Sequence, residues 1–238
     1  MTLGSYSGKV VLVTGSRKGI GLALAKHFLD EGATVLGVSR QPCDIDHANY
    51  HHHLCDVRDA KQLHATFQQI AKKSALHILI NNSAVLDSQH AFMLTATSAE
   101  AMVRTNLLGP FFVSREAAKI MKRTRWGRII NIGSMAAALE PAGDSVYAAT
   151  KAGLVTMTNV LARELSPFGI TCNTVGVTAI ESDMLNQLPR PAVDAIIAGL
   201  PIPRYAEHDD IFNVVDFLSS ERSAYITAQT IYLGGVHG

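Results

Sequence analysis

Lys9-Val10-Val11-Leu12-Val13-Thr14 runs straight into Gly15-Ser16-Arg17-Lys18-Gly19-Ile20-Gly21. A β-branched apolar run, glycines spaced Gly-x-x-x-Gly-x-Gly and a following Leu/Ala-rich stretch read as strand, tight turn and helix start. Glycine accepts positive φ and lets backbone come close to a ligand. A helix opening near Gly19 aims its unpaired N–H groups and positive dipole end into the turn. Such a turn is a place to lay a pyrophosphate.

The same alternation continues along the chain. Strands are expected at 9–14, 33–39, 50–55, 76–81, 127–133, 169–175 and 229–233. Helices are expected at about 19–31, 59–72, 98–123, 145–166 and 207–219. Strands such as His77-Ile78-Leu79-Ile80 are nearly continuous in apolar residues, which suits a parallel sheet buried on both faces. Repeated β-α-β order then predicts an α/β, doubly wound fold with right-handed crossovers. No linker divides the 238 residues, so one domain over 1–238 is expected. The irregular segment 176–206, with Pro189, Pro191, Pro201 and Pro203, follows a strand end and reads as a substrate lid, a surface loop being the alternative.

Composition excludes several classes. The chain has 21 Lys+Arg against 20 Asp+Glu, a formal charge of +1, which gives no drive toward nucleic acid or an anionic membrane. Apolar runs are too short to span a bilayer. The start of the chain, Met1 to Gly8, lacks the pattern of a signal peptide. Cys43, Cys55 and Cys172 are widely spaced, the pattern of a reduced compartment, and a cytoplasmic protein is expected. His51-His52-His53 lies in a predicted strand, where neighbours face opposite sides and cannot converge on an ion; no metal is expected. Cys172, in a buried strand, reads as packing.

The second strand ends in Ser39-Arg40. A site for NAD would place Asp or Glu there to accept from the ribose 2′-hydroxyl. Arg40 instead offers a guanidinium fork suited to a 2′-phosphate, and Arg17 and Lys18 add charge on the same side. The expected cofactor is therefore NADP(H). Asp56-Val57, after the third strand, could lie against the adenine, and Asn81-Asn82-Ser83-Ala84 near the ribose.

Tyr147 and Lys151 stand one helical turn apart and share a face. A free phenol titrates near 10, too high for efficient proton transfer at neutral pH, and a neighbouring ammonium is expected to lower it. Ser134 ends the fifth strand, where its hydroxyl can hold a substrate oxygen while Tyr147 gives up its proton. Asn106 is placed to hold a water linking Lys151 to solvent. Together with the glycine turn, these residues suggest carbonyl–alcohol oxidoreduction.

Thr14 to Gly21, Asp56, Asn81-Asn82, Asn106, Ser134 and Tyr147 with Lys151 resemble the short-chain dehydrogenase/reductase family over essentially the whole chain. The resemblance implies a Rossmann-type, doubly wound parallel sheet of seven strands flanked by helices on both faces. It implies a catalytic set of Asn106, Ser134, Tyr147 and Lys151. It places the cofactor against Gly15, Ser16, Arg17, Gly19, Ile20, Gly21, Arg40, Asp56, Val57, Asn82, Ser83, Tyr147, Lys151 and Val177. A homotetramer or homodimer built through the helices carrying Asn106 and Tyr147 is also implied. Within the family the chain is most similar to 3-oxoacyl-[acyl-carrier-protein] reductases, on Trp126 to Ser134, Leu161 to Leu165 and Tyr225 to Ile231. That likeness implies a ketoreductase acting on a 3-oxoacyl thioester. The alternatives are a reductase or dehydrogenase of a small alcohol, sugar, steroid or secondary metabolite, and a nucleotide-binding sensor or assembly partner with little turnover. An acidic carrier protein is a candidate partner for the cluster Arg123, Arg125 and Arg128, which otherwise reads as a solvated helix end. The chain departs from the family pattern at Ser83-Ala84, commonly Ala-Gly, and at Val177-Thr178, commonly Pro-Gly. The link from Gln41 to Asn49 is short enough to lack the usual helix.

Overall fold

The apolar runs become parallel strands because most of them have no polar face to turn toward water. In the computed structural model, which describes residues 6–237, they are β1 (Val10–Thr14), β2 (Thr34–Ser39), β3 (Tyr50–Leu54), β4 (Ile78–Asn81), β5 (Gly127–Ile132), β6 (Ile170–Gly176) and β7 (Thr230–Tyr232). The first five residues of the segment read for a signal peptide lie outside the described residues. The strands pair in the order β3-β2-β1-β4-β5-β6-β7, all parallel. This is the Rossmann-type sheet that the resemblance implied.

Eight α-helices are formed by the described residues: α1 (Gly19–Asp30), α2 (Ala60–Lys73), α3 (Ala96–Val103), α4 (Gly109–Thr124), α5 (Ala136–Leu139), α6 (Ser145–Leu165), α7 (Arg190–Ala198) and α8 (His208–Ser219). Alternate side chains of each strand go to opposite faces. Val11, Val13, Ile78 and Ile80 meet Leu24 and Phe28 of α1 and Ile211, Val215 and Leu218 of α8. Leu12, Leu36, Leu79 and Ile129 meet Leu63 and Phe67 of α2, Val113 and Met121 of α4 and Leu161 of α6.

Two connections depart from the regular alternation. Residues 40–49 join β2 to β3 without a helix. Gly37 makes room for the edge strand there: a Cβ on Gly37 would stand 2.0 Å from the Tyr50 hydroxyl. That hydroxyl meets His52 Nδ1 at 2.8 Å and Ser16 Oγ at 3.1 Å. The single helix expected at 98–123 is instead α3, a π-helical turn (Arg104–Leu108) and α4. Pro110 supplies the reason, since it has no N–H to return to the carbonyl of Asn106 four residues back.

A polar seam runs through the second apolar layer. Asn81 Nδ2 donates to Ser114 Oγ (2.9 Å) and to Asn131 Oδ1 (2.8 Å). Asn131 Nδ2 donates to Thr158 Oγ1 at 2.7 Å, and Thr174 Oγ1 donates to the same hydroxyl at 3.0 Å. Asn131 and Thr158 are fully buried. The seam locks α4 and α6 to β4, β5 and β6 and so fixes how far α6 slides along the sheet. Asn131→Val would strand the Asn81 amide and weaken the hold on Thr158. The expected cost is about 1–3 kcal/mol, read from the shift of a urea unfolding midpoint; an unchanged midpoint would show that the seam is dispensable.

Candidate active site

The carboxyl ends of β1 and β4 part where the strand order reverses, and a cavity of about 1040 Å³ opens there. Its far wall is the glycine turn. Gly15 has φ +69°, and Gly21 is packed so closely beneath it that a Cβ would stand 2.3 Å from the Gly15 carbonyl oxygen. Only glycines let α1 begin this near the strand. Thr14 Oγ1 accepts from the backbone N–H of Asn82 (3.0 Å) and of Ser83 (3.1 Å). Asn82 Nδ2 donates to the Thr14 carbonyl at 3.0 Å. The turn is thus tied to the end of β4.

This wall fits a dinucleotide pyrophosphate. Lys18, the N-cap of α1, makes no side-chain cap, whereas α2 and α3 are capped by Asp59 and Thr95. The first N–H groups of α1 are left for an anion, and Lys18, Gly19 and Ile20 line the cavity. Two residues expected at the cofactor are placed otherwise. The Ser16 side chain is fully buried and turns back to Tyr50, because the turn that exposes Arg17 points its predecessor inward. Gly21 supports the turn from beneath and does not line the cavity.

At the end of β2, Arg40 and Arg17 line the cavity. Neither makes a hydrogen bond or ion pair among the described residues. Asp56 and Val57 line it as well, as expected. Asp56 is gripped by Arg58, whose Nη2 donates to Oδ2 at 2.6 Å and Nε to both oxygens at 3.0 Å. Those bonds hold the Asp56 carboxyl below its ordinary range, against an opposing push from burial.

The opposite end of the cavity brings together three residues of the candidate catalytic set. Ser134, Tyr147 and Lys151 line one floor, with Tyr147 and Lys151 buried. Lys151 Nζ donates to the Ile132 carbonyl at 2.8 Å and lies 5.8 Å from the Tyr147 ring centre. Burial brings its pKa down to about 8. The phenol departs from expectation. Burial pushes Tyr147 up to about 12; Ser134 pulls against that, and the Asp144 charge adds to it. Desolvation outweighs the neighbouring ammonium, which is turned toward the Ile132 carbonyl. Asn106 sits in the π-helical turn, fully buried, with Oδ1 accepting from Val85 N (2.9 Å) and Nδ2 donating to Val85 O (2.8 Å). Its amide therefore clamps the wall segment at Val85.

Residues of segment 176–206 line the cavity, and the segment holds a 3-10 turn (Leu185–Gln187) and α7. Ile180, Leu185, Leu188, Val193 and Ile196 present an apolar underside, and Val177 and Thr178 complete the wall. Lys18 Nζ reaches Asp183 at 2.9 Å, joining the glycine turn to this cover.

Sequence reasoning missed Arg58, Asp144 and the Lys18–Asp183 pair, all on the cavity wall. An Arg two residues after Asp56 was a readable signal; the pair across 165 positions was not. The basic cluster does not form one surface. Arg128 is buried, stacked 4.4 Å over the Trp126 ring and bonded to the Ser220 carbonyl at 3.2 Å. A β-strand residue beside a strand edge goes into the layer, not onto the helix end. Cys172 is buried in β6, with its thiol pushed up to about 12 by burial.

Comparison with known proteins agrees with this geometry. The family model for short chain dehydrogenases matches residues 9–192. The 3-oxoacyl-[acyl-carrier-protein] reductase of Rickettsia conorii is 34% identical over 235 residues, 96% of each chain. That of Escherichia coli is 33% identical over 238 residues, 97% of this chain and 98% of the other. Among solved structures, the ligand-free aldohexose dehydrogenase of Thermoplasma acidophilum superposes with a TM-score of 0.88 at 26% identity, over 97% of this chain and 94% of that one. A glycine turn at the reversal point of a parallel sheet, a Tyr147–Lys151 pair across the cavity and matches of this extent have one reading: the chain belongs to the short-chain dehydrogenase family.

Proposed function

We propose that the protein is an NADPH-dependent ketoreductase whose substrate is a 3-oxoacyl thioester. The observation that carries this is the division of one cavity: unpaired cations at the β2 end, a buried phenol beside a buried ammonium at the other. The cofactor, when bound, supplies the hydride that reaches the carbonyl carbon. Tyr147 Oη gives its proton to the carbonyl oxygen, which becomes the hydroxyl, and Ser134 orients that oxygen. Lys151, with its low pKa, restores the phenol's proton. Gly15, Gly19, Ile20, Asn82, Ser83 and Val177 shape the cofactor wall.

The cover supports the substrate class. Its underside is apolar, and the cations on the wall other than Lys151 belong to the nucleotide end. An acyl chain suits that lining. A polyol would leave hydroxyls without partners along the lid. The second reading, a sugar dehydrogenase, is favoured by the likeness to the Thermoplasma aldohexose dehydrogenase. Exposed Val103, Leu108, Phe111 and Val160, around the helices carrying Asn106 and Tyr147, support self-association as a dimer or tetramer. With Arg128 buried, only Arg123 and Arg125 are left to receive an acidic carrier protein. No helix among the described residues is long and apolar enough to cross a membrane. The three cysteines are unpaired, which supports a reduced, cytoplasmic setting.

Three measurements test the reading. Tyr147→Phe should lower kcat for a short 3-oxoacyl thioester by about 10²–10⁴-fold with NADPH affinity kept; retained turnover would remove the proton-donor role. Reduction by the wild type should fall as pH rises through about 8, where Lys151 loses its proton, while alcohol oxidation rises. A flat profile between pH 7 and 9 would detach Lys151 from the proton path. Arg40→Ala should raise KM for NADPH by about 10–100-fold, the worth of one charge-assisted contact, and leave KM for NADH unchanged. Equal loss with both cofactors would contradict the 2′-phosphate argument.

A further inference from the structure

Asp144 is the N-cap of α6, yet its side chain makes no cap with the first turn. Aspartate is favoured at this position because a carboxylate normally accepts from those N–H groups. Here it accepts from none. The residue is 8% exposed. Its Oδ1 is shut from solvent without a partner among the described residues; Oδ2, which has no hydrogen-bond partner among them either, is the oxygen left open to the cavity. Leaving a carboxylate oxygen in that state costs free energy, and such costs persist mainly where function needs them.

The surroundings point to a ligand. Asp144 lines the cavity with Ser88, Gln89, His90 and Gly143, one turn ahead of Tyr147. The wall is rigid there: Gln89 N donates to the Gly143 carbonyl at 3.0 Å, and Ala148 N to the Asp144 carbonyl at 2.7 Å. The other carboxylates on the cavity are engaged, Asp56 by Arg58 and Asp183 by Lys18. Asp144 is the unpaired anion of the substrate end.

We infer that Asp144 is a substrate-binding residue that accepts a hydrogen bond from an N–H or O–H group carried close to the reacting carbonyl. This rests on the ketoreductase reading and narrows its substrate class: the ketone bears a donor within a few atoms. A cationic amine is disfavoured, because Arg17, Lys18, Arg40, Arg58 and Lys151 line the same cavity. Two sources share the chemistry: the amide of a thioester's arm and a hydroxyl on the carbon chain.

The test separates binding from turnover. Calorimetry on the protein saturated with oxidised NADP would compare butanone, which has no donor, with 4-hydroxybutan-2-one and 3-oxobutanamide. The wild type should bind one or both donor-bearing ketones about tenfold or more tightly than butanone. Asp144→Leu should abolish that preference, and Asp144→Asn, which keeps an acceptor oxygen, should weaken it. Both variants should melt at a higher temperature than the wild type, because an unpartnered carboxylate has been removed. A wild type without preference, or a preference unchanged in either variant, overturns the inference; so does a lower melting temperature in both variants, which marks a structural role. The hydroxyl and amide compounds tell the two sources apart. If NADPH does not reduce a short 3-oxoacyl thioester, the ketoreductase reading falls, while the binding comparison still judges Asp144.

Discussion

Lys151 carries an ammonium into the interior with the Ile132 carbonyl as its protein partner, at 2.8 Å, and everything at the chemical end of the cavity depends on that bond. Ile132 is the last residue of β5 and Lys151 lies one turn beyond Tyr147 on α6. One contact therefore fixes the helix against the strand end. Ser134, two residues past Ile132, and Tyr147 are brought to the same floor as a consequence. The polar seam beneath, from Asn81 through Asn131 to Thr158, sets the height of α6 and makes the bond possible. An ammonium with no carboxylate beside it holds its proton weakly, which is the property a proton path needs. Stability is given up where the chemistry is gained.

Charge is sorted along the cavity in the same spirit. Arg17 and Arg40, which make no hydrogen bond or ion pair among the described residues, lie at the nucleotide end, and the uncapped start of α1 adds a positive dipole end. Beyond the strand ends the wall turns apolar under the cover. The cavity thus grades from a cationic end to an apolar one, with the buried phenol and ammonium on its floor.

Much of this was legible in residue order because the deciding signals are local. The glycine spacing, the continuous apolar strands and the Tyr147–Lys151 interval each act within a few residues, so the parallel doubly wound sheet and the residues at both ends of the cavity could be anticipated. Side-chain direction in turns was not. Ser16 and Arg17 are neighbours with opposite fates, and φ and ψ decide which faces the ligand. The Asn106 amide is spent on Val85, 21 positions away, a contact that residue order does not announce. Arg128 looked like part of a basic surface until the strand carried it inward against Trp126. Pro110 did announce the break in the long helix, through the N–H it lacks. The sign of the Tyr147 shift failed for another reason: burial, which sequence spacing does not report, outweighs a nearby charge.

The departures at Ser83-Ala84 and Val177-Thr178 bear on whether the protein turns over at all. At both places the backbone makes the supporting contact. Ser83 N donates to Thr14 Oγ1, and the Val177 carbonyl accepts from Met135 N at 2.9 Å. A backbone group serves whatever side chain it carries, so these positions tolerate exchange without loss of the wall. Thr178 finds room for its methyl against a glycine: a Cβ on Gly234 would stand 3.2 Å from Thr178 Cγ2. The substitutions are accommodated, and the buried phenol and ammonium are intact. A sensor would have no use for two desolvated titratable groups held at a cavity floor, since each costs stability that binding alone does not recover.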